Sequence, residues 1–286
     1  MDQLNFSLPA PAKINLFLNI TARRADGYHE LQTVFQLLDY CDQLHFSAAS
    51  ADVNITCPAL DLPVEDNLVF QAAQALREAT GVDRGATIRI DKCIPQGAGL
   101  GGGSSNAATA LVGLNRLWNL GLGTADLKAL GLSLGADVPV FVEGRSAWAE
   151  GVGEILQPID LPEKWYLVLN PGCEVPTARI FADPHLTRSN SPITIAHFLR
   201  QGSENVCEPV VRRLYPPVDA ALRWLGKRGP SKMTGTGSCV FLPFESESAA
   251  SELLSQVPDP WTAFIARGVE RSPLLEALDD MEEFLG

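Results

Sequence analysis

Eleven consecutive residues, Pro95, Gln96, Gly97, Ala98, Gly99, Leu100, Gly101, Gly102, Gly103, Ser104 and Ser105, combine five glycines with two hydroxyls and run straight into an apolar, helix-patterned segment. Glycine leaves no side chain in the way and permits positive φ, so successive backbone N–H groups can converge on an anion. From Ser104 onward, Ala107, Ala110, Leu111, Leu114, Leu117 and Trp118 recur at helical spacing, and Gly121 supplies a stop. The loop therefore ends at a helix N-terminus, where unpaired amides and the positive end of the helix dipole favour the phosphates of a nucleotide.

Three rival readings compete. A flexible Gly/Ser linker needs polar, structureless flanks, whereas residues 86–90 read as a strand and an amphipathic helix follows. Gly97 to Gly102 matches the dinucleotide fingerprint G-x-G-x-x-G, but Asp91, Lys92 and Pro95 stand where a tight strand-to-helix turn belongs, and no clear strand-end acid follows about 20 residues on. A Walker P-loop fails because no Gly-Lys-Ser/Thr closes the motif. What survives is a nucleotide-phosphate loop of another type.

Other chemistry-bearing residues are dispersed. Lys13 and Asn15 share one face of a strand over residues 8–20, which is either a solvated sheet face or the wall of a site. Tyr28 and His29 follow the turn signal Asp26-Gly27, and either lie plainly on the surface or stack on and hydrogen-bond a base. Asp137 precedes Val-Pro, as a helix cap or turn former does, yet it is the one acid among small and apolar neighbours, which can tune a carboxylate. Met233 to Leu242 contains a second glycine turn, either a tight turn alone or a backbone surface closing over phosphates.

The elements that must position these residues alternate in type. Strands are expected at 31–38, 42–46, 53–56, 146–154 (with a Gly-x-Gly turn), 165–169 and 263–266. Helices are expected over 67–80 (stopped by Gly81), from 124, near 177–181, 194–200, 208–214 and 218–225, and from 247 and 273. Mixed elements in both halves imply α+β domains. The best linker is 156–162, which divides the chain into residues 1–158 and 159–286 and is expected to act as a mobile hinge.

At 286 residues the chain can bury a sizeable core, and 46% hydrophobic with 20% charged residues describes a globular protein. A net charge of −12 opposes nonspecific binding to nucleic acid or anionic membranes. No run approaches a membrane span and the first residues do not resemble a signal peptide, so a cytoplasmic protein is expected. The six cysteines are scattered without Cys-x-x-Cys pairs, which suggests neither a disulfide framework nor a zinc site.

Taken together, Pro11-Ala-Lys-Ile-Asn15, the loop Gly97 to Ser105 and Thr234-Gly-Thr-Gly-Ser238 resemble the three ordered motifs of the GHMP small-molecule kinases. Residues 24–29, 134–141 and 149–154 resemble, within that family, the branch that phosphorylates the 2-hydroxyl of a CDP-linked methylerythritol in the non-mevalonate isoprenoid route. The resemblance implies an N-terminal ribosomal protein S5 domain 2-like domain, a C-terminal ferredoxin-like α/β sandwich, and ATP with Mg²⁺. It implies Lys13 and Asp137 as the catalytic pair and Asn15 on the substrate hydroxyls. By the same likeness Tyr28 and Phe181 sandwich cytosine, His29 and Thr177 contact the cytidine, and Asn67 and Leu68 lie on the adenine side. Ser105 is the one candidate Mg²⁺ ligand, and a small-molecule substrate with a monomer or weak homodimer is expected. Two residues depart from the pattern: Ala98 where another glycine is common, whose methyl narrows the cradle if the position needs positive φ, and Val206 where Asp is frequent.

Overall fold

Alternating apolar residues make two long strands, β1 (Asn5–Arg23) and β2 (His29–Ala49), whose antiparallel pairing frames the molecule. The computed structural model describes residues 5–25, 27–60 and 62–285. Gly27 turns the chain between the strands at φ 91°, while Asp26, its expected partner in the turn, lies outside the described residues. β2 is continuous where the sequence suggested two strands, 31–38 and 42–46. Residues 39–41, Asp-Tyr-Cys, fall between those two expected strands, yet the fully buried Asp42 carboxylate accepts hydrogen bonds from Cys93 N (2.7 Å), Ile94 N (2.8 Å), Asn106 Nδ2 (2.8 Å) and the Lys92 ammonium. With that charge matched, the strand runs through it.

The chain continues through β3 (Val53–Thr56), α1 (Leu68–Thr80), β4 (Gly85–Asp91), α2 (Gly102–Leu117), α3 (Thr124–Leu134), α4 (Val138–Glu143), β5 (Ala147–Glu150) and β6 (Ile155–Pro158). Asn67 caps α1 by accepting from Val69 N, and Gly81 ends it at φ 69°. α2 begins at Gly102, two residues before the expected start. β5 and β6 form a hairpin through the Gly-x-Gly turn, so the strand expected over 146–154 ends at Glu150 ahead of that turn, and residues 156–158 of the expected linker are paired sheet. The second half adds β7 (Trp165–Asn170), α5 (Thr177–Ala182), α6 (Ile195–Gln201), α7 (Glu208–Leu214), α8 (Pro216–Gly226), β8 (Lys232–Met233), β9 (Val240–Phe244), α9 (Glu247–Leu254), β10 (Thr262–Val269) and α10 (Pro273–Leu285).

One sheet spans both halves in the order β3-β4-β2-β10-β7-β9-β8, with β1 and β5 also on β2. Gly268 and Val269 of β10 pair with Leu38 and Leu37 of β2, joining the two parts. A first core under α1, α2 and α4 includes Phe46, Leu76, Ile88, Leu111 and Phe141; a second, around β7, α7 and α8, includes Leu167, Val211 and Leu225. Between them Ile14, Ala98, Leu100, Val168 and Phe241 form a third cluster. The last helix crosses back, since Leu274, Ala277, Leu278 and Met281 pack on the first core. Division of the chain at residue 158, which remains our proposal for the domain boundary, thus leaves α10 structurally with the other half. Val206 packs on the second core, and its N–H donates to Leu18 O at 2.9 Å.

Candidate active site

The β1/β2 ladder slips between Pro11 and Lys13 and again between Asn15 and Leu18. Bulges of this kind re-aim side chains, and these two bracket Lys13 and Asn15. Each residue is 3% exposed, so this face of β1 is a site wall and not a solvated sheet face. Lys13 Nζ donates to Asn15 Oδ1 at 2.6 Å and to Gly99 O at 3.3 Å, lies 3.1 Å from Asp137 Oδ2, and sits 5.3 Å from the centre of the Phe35 ring. Asn15 Nδ2 in turn donates to Thr33 Oγ1 at 2.9 Å.

Asp137 stands at the cap position of α4, as its place before Val-Pro suggested. Its side chain makes no capping hydrogen bond, because Pro139 at the helix start removes an amide and the carboxylate faces Lys13 instead. The pair is asymmetric: the lysine side chain is 4% exposed and the carboxylate 34%. An ammonium held on fixed oxygens beside a solvent-reachable carboxylate can stabilise developing negative charge while the carboxylate takes a proton.

The three sequence motifs meet at Gly99. Its carbonyl accepts from Thr234 Oγ1 at 2.9 Å as well as from Lys13, Asn15 N donates to Thr234 Oγ1 at 3.0 Å, Lys13 N donates to Leu100 O at 3.0 Å, and Cys239 N donates to Ala98 O at 3.1 Å. Gly99 has φ 77°, and a Cβ there would lie 2.4 Å from Thr234 O, so the second glycine turn approaches too closely for any other residue. Gly101, at φ 73°, caps α2, leaving the first amides of that helix free at the loop. Ala98 is not at positive φ and its methyl is buried in the cluster between the cores, so it does not narrow the cradle.

A single cavity of about 1030 Å³ takes in nearly every residue singled out from the sequence. Lys13 and Asp137 lie on its wall together with Asn15; Pro95 to Gly99 and Gly101 to Ser104 line it, as do Asn67 and Leu68 and an aromatic group of Tyr28, His29 and Phe181 with Thr177. Leu100 and Ser105 do not line it. Leu100 is 1% exposed beneath the loop, and Ser105 is fully buried in the first turn of α2, its Oγ without a hydrogen-bond partner. In the aromatic group Phe181 stacks on His29, with ring centres 5.0 Å apart and planes at 23°, while Tyr28 is 63% exposed. Thr177 Oγ1 and Thr236 Oγ1 are 2.9 Å apart. Burial first, then the charges of Arg188 and Arg23, hold His29 below its usual pKa.

The chain matches the GHMP kinases N terminal domain over residues 67–145 and the GHMP kinases C terminal domain over residues 185–263. It is 52% identical to a 4-diphosphocytidyl-2-C-methyl-D-erythritol kinase of Nitrosococcus oceani, covering 95% of this chain and 97% of that one. The chain belongs to the GHMP kinases, in the family of the 4-diphosphocytidyl-2-C-methyl-D-erythritol kinases. A relative of the same name from Alkalilimnicola ehrlichii is 54% identical over 94% of this kinase and 93% of its own length. A crystal structure of 4-(cytidine 5'-diphospho)-2C-methyl-D-erythritol kinase superposes with a TM-score of 0.76 at 36% identity, covering 92% of this kinase and all of that chain. A homoserine kinase from Cytophaga hutchinsonii, at TM-score 0.69 and 16% identity over 95% and 96% of the two chains, shares the fold.

Several groups of this kinase escaped the sequence reading. Lys92 lines the cavity and is held by Asp42 and by Asn106 Oδ1 (3.0 Å), so a cation stands behind the first turn of α2. Its place just ahead of the glycine loop was the available signal; its partners, at positions 42 and 106, gave none. Arg23 and Asp66 also line the cavity. Among the described residues no group of three or more His, Cys, Asp or Glu side chains is placed to hold a metal ion.

Proposed function

We propose that this kinase transfers the γ-phosphoryl group of ATP to the 2-hydroxyl of 4-CDP-2-C-methyl-D-erythritol, giving the 2-phosphate and ADP in the non-mevalonate route to isopentenyl diphosphate. The observation that carries the reading is the single cavity that the Lys13–Asp137 pair, 3.1 Å apart, shares with a glycine loop and an aromatic group. In our assignment the adenine lies by Asn67 and Leu68, the phosphates on the amides of the loop and of α2, and cytosine against Phe181 and Tyr28, with His29 and Thr177 on the cytidine. Asn15 orients the acceptor hydroxyls. Asp137 accepts the hydroxyl proton as the oxygen attacks the γ-phosphorus, the bond from phosphorus to the β,γ-bridging oxygen breaks, and Lys13 stabilises the charge that gathers on the transferring group.

Magnesium, when bound, neutralises charge on the phosphate oxygens. The unpartnered Ser105 hydroxyl, the one protein oxygen the sequence offered for such an ion, is fully buried behind the cavity wall, so an ion here would be held chiefly by the phosphates and water. Among the described residues no helix is long and apolar enough to cross a membrane. We further propose a cytoplasmic enzyme acting as a monomer or weak homodimer.

ADP release with the CDP-linked acceptor, and with homoserine and mevalonate as controls, tests the reading in the wild type, Asp137→Ala and Tyr28→Ala. Turnover is expected with the cytidine acceptor alone, nearly lost without Asp137, and with KM raised about tenfold without Tyr28. Turnover of a control acceptor in preference to the cytidine compound would contradict it.

A further inference from the structure

α5 ends at Ala182, so its last carbonyls need donors from outside the helix. Arg188 provides them. Its Nη2 donates to Phe181 O and to Asp183 O, both at 2.7 Å, and its Nη1 donates to Leu186 O at 3.2 Å. The segment beyond is sewn to the first two strands. Asn190 N donates to Ile20 O at 3.0 Å, Asn19 Nδ2 to Ser191 O at 3.2 Å, and Gln32 both accepts from Ile193 N at 2.9 Å and donates to Ile193 O at 3.2 Å. Asp183 is pinned from the other side by Arg213 at 2.6 Å. Residues 183–193 thus form a strap from the second half across the strands whose turn bears Tyr28 and His29.

We propose that Arg188 is a positioning residue of the base site: its guanidinium fork fixes the backbone of Phe181, and with it the ring facing His29, so that the aromatic group of the cavity is assembled before any ligand enters. This rests on reading that group as the cytidine site. The guanidinium reaches three carbonyls spread over residues 181–186 from two separate nitrogens, whereas a lysine ammonium presents its three donors from one point, so lysine is not an equivalent. The same charge acts on His29. Two cations bear on that imidazole, Arg188 from the strap and Arg23 from the paired position on β1, and with burial they favour its neutral form.

The test is calorimetric binding of cytidine 5'-monophosphate and, separately, of ATP to the wild type, Arg188→Ala and Arg188→Lys, with His29 titrated by NMR of its ring protons. Arg188→Ala is expected to bind the cytidine nucleotide about tenfold more weakly, to bind ATP as the wild type does, and to titrate His29 at higher pH. Arg188→Lys restores the His29 titration without restoring the affinity, and carries the test if the alanine variant fails to fold. Unchanged cytidine-nucleotide affinity in both variants, or equal losses of cytidine and ATP binding, overturns the proposal. A wild type that binds ATP and no cytidine nucleotide overturns the site assignment beneath it, a result separable from indifferent variants of a wild type that binds both.

Discussion

Replacing Gly99 by alanine asks the sharpest question of the junction between the two glycine turns. The residue has φ 77°, and the added Cβ would lie 2.4 Å from Thr234 O and 3.0 Å from Gly237 O. Both are backbone atoms, with no rotamer to escape into. Holding an alanine in the left-handed region costs about 1–2 kcal/mol, and forcing a methyl into a filled space costs about 1–3 kcal/mol. The sum, roughly 2–5 kcal/mol, lowers the melting temperature of a chain this size by about 3–8 °C. Gly97→Ala is the control, because its φ of 62° is similar but the nearest atom to its Cβ is Glu174 Cγ at 3.8 Å. That variant keeps only the conformational cost, about 1–2 kcal/mol. Turnover falls in Gly99→Ala as well, since the Gly99 carbonyl holds Lys13 Nζ at 3.3 Å. Thermal melts and urea denaturation of both variants, with ATP turnover alongside, make the comparison. If Gly99→Ala melts no lower than Gly97→Ala, the turns do not approach as described.

Lys13→Met keeps the buried stem and removes the charge, so kcat is expected to fall about 10²–10³-fold with the circular dichroism spectrum unchanged; a fall of less than about tenfold removes Lys13 from the chemistry. Asp42→Ala strands the Lys92 ammonium and two amides, and urea denaturation should show a loss of about 3–5 kcal/mol. His29 titrates below 6.5 when folded, so the unfolded chain binds its proton more readily. Stability is therefore full above pH 6.5 and declines as pH falls through 6.5 toward the lower folded value. Melting of His29→Gln against pH should lack that part of the decline, and parallel curves for variant and wild type would refute it.

The chemistry was more legible than the architecture. Motif residues announced themselves because phosphate cradles demand glycine and because few residue types can move a proton, and the cavity gathers them from positions 13, 99, 137 and 236. Strand limits were obscured where tertiary partners override local character. Asp42 reads as the start of a separate strand until its four donors are known, and Pro158 reads as linker although it pairs with Ala147 at the end of β6. α2 starts within a glycine run, which propensity disfavours, because the loop and not the helix sets those residue types. Arg188 was invisible for a different reason: its partners are main-chain carbonyls, and a carbonyl leaves no mark in the sequence.

The crossing of α10 onto the first core also bears on the order of synthesis. The strands and helices of residues 5–158 leave the ribosome before α10 does, so the surface that Leu274, Ala277, Leu278 and Met281 cover stays open until residues 274–281 are made. A nascent chain arrested before residue 273 therefore carries Lys13 and Asp137 on a core that lacks the helix covering this apolar surface.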